Sequence, residues 1–289
     1  MPDLSSELVS KEIVLKEREF RQISELAHQR FGLELKPGKE ALVASRLGKR
    51  LRQRGFKTFD DYYQHILSDG TGEALTELID SLTTNHTSFL RERAHFEFLS
   101  RAVVEEFSRG DVNIWSAACS SGEEPYSITM CVSDAWSRAN SKNRALRVLA
   151  TDISTRVLGI AQRGVYPADR FREMPEAWKR AYLLKGVGES QGHYKVKPEI
   201  ARTISFEQIN LIEPFRHGRS FQVIFCRNVM MYFDKTTQQD IVQRLAGALE
   251  PGGYLFVGHS ESLTGVKHGL RYICPAIYRQ DGGGMKVHK

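Results

Sequence analysis

Residues 221–234 read Phe-Gln-Val-Ile-Phe-Cys-Arg-Asn-Val-Met-Met-Tyr-Phe-Asp. The first six have the length and apolar content of a buried strand. Arg227 and Asn228 then break the run, an aromatic cluster from Val229 to Phe233 follows, and a polar helical pattern opens at Lys235. A strand covered on both faces has no place for a guanidinium and an amide in its interior. At its carboxyl end they fit, because ligands of open parallel sheets bind beyond the carboxyl ends of the strands.

The flanking sequence supports such a sheet. Strand-like apolar runs at Val112 to Ala117, Arg147 to Thr151, Ile204 to Ile209, Phe221 to Cys226, Gly253 to Gly258 and Arg271 to Arg279 alternate with helical patterns at Glu123 to Ser137, Ser154 to Arg163 and Lys235 to Leu249. This alternation predicts a mostly parallel sheet with helices on both faces. Upstream, only helical patterns occur: Glu17 to Phe31, Lys39 to Arg54 closed by Gly55, Phe59 to Leu67 and Gly72 to Leu82. The expected division is therefore a helical domain over residues 1–90 and an α/β domain over residues 91–289. The one low-complexity tract is Gly282 to Gly284.

With 289 residues, 41% hydrophobic and 26% charged, the chain has the composition of a globular protein rather than a disordered one. No apolar run approaches the roughly 18 residues of a membrane span, and no signal peptide is expected, so the reading is a cytoplasmic protein that does not insert in a membrane. Cys119, Cys131, Cys226 and Cys274 lack paired spacing and are expected as reduced thiols, and the nine histidines show no ligand spacing, so no metal is expected. The net charge of +6 is uneven. Arg46, Lys49, Arg50, Arg52 and Arg54 crowd one helical segment, with Val43, Leu47 and Leu51 at intervals of four as its apolar stripe. Such a face is either solvated or a docking surface for an acidic partner.

Three further segments fall at strand ends. Ser116 to Gly122 is rich in small residues, which let a backbone turn tightly against a ligand, and Ser120 with Glu123 has capping-box spacing. The second strand ends in Asp152, where a carboxylate accepts hydrogen bonds from vicinal ribose hydroxyls or else caps the following helix. Asn210-Leu211 and Asn228-Val229 each set an amide, with its donor and acceptor, beside an apolar residue, a pairing that suits an adenine edge and ring face. Four strand ends thus point to one adenosine-like ligand.

The motifs TTNHTSFLRE (Thr83 to Glu92), WSAACSSGEEPYS (Trp115 to Ser127), ATDIS, NLIE, FCRNVMMYFD and GGYLFVGHSES together resemble the chemotaxis receptor glutamate methyltransferases, the CheR family, from about residue 17 to about residue 279. The resemblance implies an all-α N-terminal domain followed by a Rossmann-like, S-adenosylmethionine-dependent methyltransferase domain with a small antiparallel β-subdomain inserted at about residues 165–205. It implies methyl transfer from S-adenosyl-L-methionine, released as S-adenosyl-L-homocysteine, to glutamate carboxylates on the cytoplasmic helices of chemoreceptors. Nucleic acid is not the expected substrate, since Asn228 to Tyr232 lacks the Asn/Asp-Pro-Pro-aromatic tetrad of many amine methyltransferases.

Carried over residue by residue, the resemblance assigns cofactor contacts to Asn85, Thr87, Arg91, Glu124, Asp152, Asn210, Leu211, Asn228 and Val229, and catalytic roles to Arg91 and Tyr232. Arg91 would hold the carboxylate of the cofactor or of the incoming glutamate. Arg46, Lys49, Arg50 and Arg52 become candidates for docking the receptor's methylation helices near Arg91. The glycine-rich turn Leu184 to Gly192, containing Gly186 and Gly188 and followed by expected strands at His193 to Lys197 and Arg202 to Gln208, is a candidate for the receptor's C-terminal peptide, received by strand addition at the edge.

Overall fold

The computed structural model describes residues 13–83, 85–107, 110–141, 144–215 and 220–281, so the glycine tract at 282–284 lies outside the described residues. The chain forms two compact units, the second beginning at Asn85 rather than at residue 91.

The first unit contains helices α1 (Glu17–Phe31), α2 (Glu40–Arg54), α3 (Phe59–Ser68) and α4 (Glu73–Leu82). Gly32 and Gly55 end α1 and α2 in the left-handed conformation, with φ of 69° and 78°, where a side chain would be strained. Thr58 and Asp61 form a reciprocal capping box at the start of α3. Ile23, Val43, Leu47, Leu51, Phe59, Tyr62 and Leu78 are fully buried and make the core of this unit.

The second unit is built on a seven-stranded sheet. Its strands are β1 (Val112–Ala117), β2 (Leu146–Asp152), β6 (Ile204–Gln208), β7 (Phe221–Cys226), β8 (Leu249–Phe256), β9 (Arg271–Cys274) and β10 (Ile277–Arg279), in the order β6-β2-β1-β7-β8-β10-β9. The first five in that order run parallel, and β10 and β9 are antiparallel additions at one edge. The run Arg271 to Arg279, expected as one strand, is thus a hairpin folded at residues 275–276, where Ala276 has φ 66°. The chain leaves β1 toward β2 on one side and reaches β7 on the other, so β1 and β7 flank the switch point of the sheet.

Side chains alternate between the sheet's two faces. Ile114, Val148, Val223, Phe225 and Phe256 join the core shared with α5 (Arg93–Glu105) and α6 (Glu123–Arg138). Trp115, Leu149, Ile224 and Leu255 join the core shared with α10 (Lys235–Ala248). Helix α7 (Thr155–Arg163) packs beside β2 and β6. This is the three-layer arrangement that near-continuous apolar strands require, since both sheet faces must be covered.

The insertion between α7 and β6 carries a separate three-stranded antiparallel sheet, β3 (Val165–Pro167), β5 (His193–Val196) and β4 (Leu183–Lys185), in that spatial order. A 3-10 turn at Ala168–Phe171 and helix α8 (Glu176–Tyr182) lie between β3 and β4, and helix α9 (Pro198–Ala201) leads out to β6. The His193 strand, β5, therefore pairs with β3 on one side and β4 on the other. The expected strand from Arg202 instead pairs with β2 in the main sheet, because its apolar residues Ile204 and Phe206 extend the large core.

Candidate active site

The segments expected at the strand ends meet around the carboxyl ends of β6, β2, β1 and β7. Among the described residues, Ala118, Ser120 and Asn228 in these segments, and Leu90 and Glu92 in the segment before α5, have positive φ without being glycine; Asn140 and Ala276 do so elsewhere. Left-handed backbone at non-glycine residues persists only where surrounding contacts fix it, and it concentrates at functional sites.

The loop after β1 is held by hydrogen bonds to its neighbours. Asp152, at the end of β2, is 7% exposed; its Oδ2 accepts from the Ser120 amide at 2.8 Å and its Oδ1 from the Ser154 amide at 3.0 Å. Ser154, not Asp152, caps α7, its hydroxyl accepting from the Val157 amide. Ser120 does not form the expected capping box with Glu123. Left-handed Gly122 occupies the N-cap of α6, and the Ser120 hydroxyl donates instead to the Asn85 carbonyl at 3.0 Å. The Asn85 side-chain nitrogen Nδ2 is buried and has no hydrogen-bond partner among the described residues. An orphaned amide donor in a cleft is costly unless a ligand accepts from it.

Arg227 answers the question raised by its place in the sequence. Its guanidinium, 2% exposed, pairs with Glu124 Oε2 at 3.0 Å and Glu92 Oε2 at 3.0 Å, and donates to the Arg91 carbonyl at 2.5 Å. Glu124 also accepts from the Ser116 hydroxyl at 2.7 Å. Burial raises the Glu124 pKa above the usual carboxylate range, with Arg227 and Ser116 opposing the shift. At Glu92 burial acts the same way, but the charge and hydrogen bonds of Arg227 outweigh it and hold the carboxyl below its ordinary value. One arginine at the end of β7 thus ties the Arg91-Glu92 segment to the first turn of α6.

Asn228, with φ 58°, donates from its side chain to Glu92 Oε1 at 3.4 Å. Its backbone amide and those of Met230 and Gly258 converge on the Glu261 carboxylate at 2.7–2.8 Å. Glu261 thereby fixes the turn that carries Asn228 and Val229. A Cβ at Gly258 would collide with the Asn228 side chain, so glycine is required there. Leu211 belongs to the apolar cluster on the α10 face of the sheet, and Val229 packs against it. The Asn210 side chain closes its own turn, accepting from the Ile212 amide at 3.3 Å and donating to Glu213 at 3.2 Å. Thr87 is buried, Arg91 is half-buried and donates to the His86 carbonyl at 3.1 Å, and Tyr232 is half-buried in a 3-10 turn at Met230–Tyr232.

His95 and His259 escaped the sequence reading because His259 lies far along the chain from Glu92 and His95, which stand three residues apart. One donor atom from each of Glu92, His95 and His259 lies within 4.8 Å of the others. The Glu92 carboxylate is already committed to Arg227 and Asn228, so this cluster is an ion-pair network with a buried imidazole against it. Burial, reinforced by the nearby Arg227 charge, lowers the His95 pKa to about 3, which keeps the ring neutral. Arg227, Glu261 and Glu92 were not foreseen as site residues either, although each stands inside a quoted motif.

The docking candidates divide. Arg46 bonds the Leu82 carbonyl, and Arg50 and Arg54 pair with Glu77, so these three tie α2 to α4. Lys49 and Arg52 are exposed. In the insertion, Gly186 and Gly188 have turn roles: a Cβ at Gly186 would strike the Ser190 carbonyl, and Gly188 has φ 57°. Strand β4 lies at the edge of its sheet, with its Leu184 47% exposed and Val187 of the following turn 81% exposed.

Comparison with known proteins places these features in a family. Residues 85–276 match the model described as CheR methyltransferase, SAM binding domain, and residues 18–83 match CheR methyltransferase, all-alpha domain. The chain is 38% identical to a chemotaxis protein methyltransferase of Borreliella burgdorferi over 91% of this chain and 94% of that one. It is 39% identical to that of Klebsiella aerogenes (89% and 87% covered) and 37% identical to that of Escherichia coli (89% and 88% covered). No helix among the described residues is long and apolar enough to cross a membrane.

Proposed function

The chain belongs to the CheR methyltransferase family and is an S-adenosylmethionine-dependent protein-glutamate O-methyltransferase of chemotactic adaptation, and we propose on that premise how its own residues carry out the reaction. The observation that carries the proposal is the cradle of Asn85, Ser120 and Asp152, where a buried amide lacking a partner stands beside a loop held to a strand-end carboxylate. These groups fit the cofactor chemically. Asp152 retains lone pairs for ribose hydroxyls, Asn85 offers a donor, and Leu211 and Val229 supply an apolar surface for adenine beside the Asn210 and Asn228 amides. Thr87, Glu124 and Arg91 complete the polar lining.

When bound, S-adenosylmethionine supplies a methyl group on a positively charged sulfur. The substrate carboxylate is ionised near neutral pH, its ordinary pKa being about 4.3, so no base has to remove a proton before an oxygen attacks the methyl carbon. With the C–S electron pair kept on the cofactor's sulfur, the balanced products would be S-adenosylhomocysteine and a glutamyl methyl ester. The protein's contribution is positioning and exclusion of water, which can supply roughly 7–11 kcal/mol of barrier reduction. Arg91 orients a carboxylate, and Tyr232 borders the transferred methyl.

The substrates are chemoreceptors, and the proposed targets are glutamates on their cytoplasmic helices, reached by an enzyme acting in the cytoplasm. The exposed cations Lys49 and Arg52 support docking of an acidic helix, and the open edge of β4 supports addition of a receptor's C-terminal peptide as a strand. Incubation of a receptor cytoplasmic fragment with S-adenosylmethionine and the enzyme, followed by peptide mass spectrometry, tests the reading. Methyl groups on glutamate support it; methyl groups on lysine or arginine, or none, overturn it.

A further inference from the structure

The insertion does more than extend the fold. Arg170, in the 3-10 turn after β3, donates from Nη1 to the Thr87 carbonyl at 3.1 Å, and the same atom lies 3.5 Å from Glu123 Oε1. Glu123 is 1% exposed on the first turn of α6, and its Oε2 accepts from the Ser121 hydroxyl at 2.6 Å. The Ser121 carbonyl in turn accepts from the Tyr166 hydroxyl of β3 at 2.6 Å. Phe89, two residues beyond Thr87, stacks on Phe171 at 4.4 Å and meets Tyr166 edge-on at 5.2 Å. These contacts close a ring running from Tyr166 through Ser121, Glu123, Arg170 and Thr87 to Phe89.

Two of the ring's members come from the segment that begins at Asn85, one from the loop after β1, one from the first turn of α6, and two from the insertion. The insertion thus grips both sides of the Asn85–Ser120 cradle, while its gripping side chains, Tyr166 and Arg170, lie outside the strand-end positions at Asp152, Asn210 and Asn228. Without Arg170, the buried Glu123 carboxylate would keep the Ser121 hydroxyl but lose its guanidinium partner, and a buried charge so weakened destabilises the segment that must accommodate it. The Thr87 carbonyl would also lose a charged donor, leaving the strained turn at Leu90 and Glu92 less determined.

We infer that Arg170 is a positioning residue for the cofactor: through Thr87 and Glu123 it holds residues 85–91 in the conformation that presents Asn85 to the ligand. The inference rests on the reading of Asn85 and Thr87 as cofactor-binding residues. By linkage the coupling is reciprocal, so cofactor binding also stiffens the insertion against the methyltransferase core.

The test uses the full chain, with S-adenosylhomocysteine binding followed by calorimetry and hydrogen exchange followed over residues 85–91. Arg170→Met is expected to weaken binding about tenfold or more, the scale of a lost charge-assisted hydrogen bond, and to speed exchange of 85–91 in the free protein. Saturating S-adenosylhomocysteine should return that exchange to the wild-type pattern, and Arg170→Lys, which keeps a cation and a donor, should stay within about threefold of wild type. Asn85→Ala separates the two ideas. If it leaves affinity unchanged, the cofactor reading of the segment fails. If it weakens binding while Arg170→Met does not, or if Arg170→Met weakens binding with exchange of 85–91 unaltered, the positioning role is refuted.

Discussion

Arg227 Nη1 and Glu124 Oε2 stand 3.0 Å apart across the switch point of the sheet, joining the end of β7 to the start of α6 in nearly dry surroundings. Breaking such a pair by removing one partner leaves an uncompensated charge, whereas replacing both removes the penalty. Arg227→Met should cost about 3–5 kcal/mol of stability by urea denaturation. Adding Glu124→Gln should recover part of that loss, because one of the two stranded carboxylates is then neutral. A single variant as stable as wild type would mean that the pair carries no structural load.

His95 sets a pH dependence. Burial, aided by Arg227, lowers its pKa from about 6.5 to about 3, so the unfolded chain binds a proton in that interval and the folded one does not. The associated stability is fully present above pH 6.5 and is lost as pH falls toward 3. Glu92, also held below its ordinary value, adds loss at the acid end of the same window. His95→Phe, placing an apolar ring beside Phe225 and Phe256, should therefore show a shallower decline between pH 6.5 and 3 than wild type. Parallel stability curves for the two proteins would contradict the assignment.

Asp152 accepts two backbone amides that shape the loop after β1, and its proposed ligand role adds the ribose hydroxyls. Asp152→Ala should weaken S-adenosylhomocysteine binding by roughly 1.5–3 kcal/mol, about ten- to a hundredfold, without unfolding the protein. Unchanged affinity by calorimetry would reduce Asp152 to a loop support.

On the basic helix, the useful probes are the outward cations. Arg50 pairs with Glu77, so reversing it would confound docking with stability; Lys49 and Arg52 avoid that. The double variant Lys49→Glu, Arg52→Glu should slow receptor methylation at low salt with cofactor affinity unaltered. The defect should shrink as salt rises and the Debye length falls below about 8 Å. Wild-type rates across a salt titration would make this a solvated face.

The sequence made the periodic elements readable and hid the long-range ones. Helix α1 has the expected bounds, Glu17–Phe31, because its apolar stripe and Gly32 stop are local signals. Four strand ends converge as their alternation and terminal polar residues implied. What was not legible depends on partners far along the chain: Arg227 reads as an interruption until Glu92 and Glu124, more than a hundred residues away, are seen against it. Glu261 is hidden for the same reason, its role being to collect backbone amides from residues 228–230. The capping box at Ser120 failed because the loop takes a left-handed turn at Gly122 and spends the hydroxyl on Asn85. Helix α5 is not evident from its pattern, and the β9–β10 hairpin reads as one continuous apolar run although Pro275, next to left-handed Ala276, marks its bend.

The central claim is that this site transfers a methyl group to carboxylate oxygen. Incubating the protein with methyl-labelled S-adenosylmethionine and chemoreceptor membranes, then treating the labelled receptor with mild base, tests it most directly. A carboxyl methyl ester should release its label as volatile methanol, and the label should fall about ten- to a hundredfold when Asp152→Ala replaces wild type at limiting cofactor. Label that survives base, or that appears on nucleic acid instead of receptor, would contradict the account.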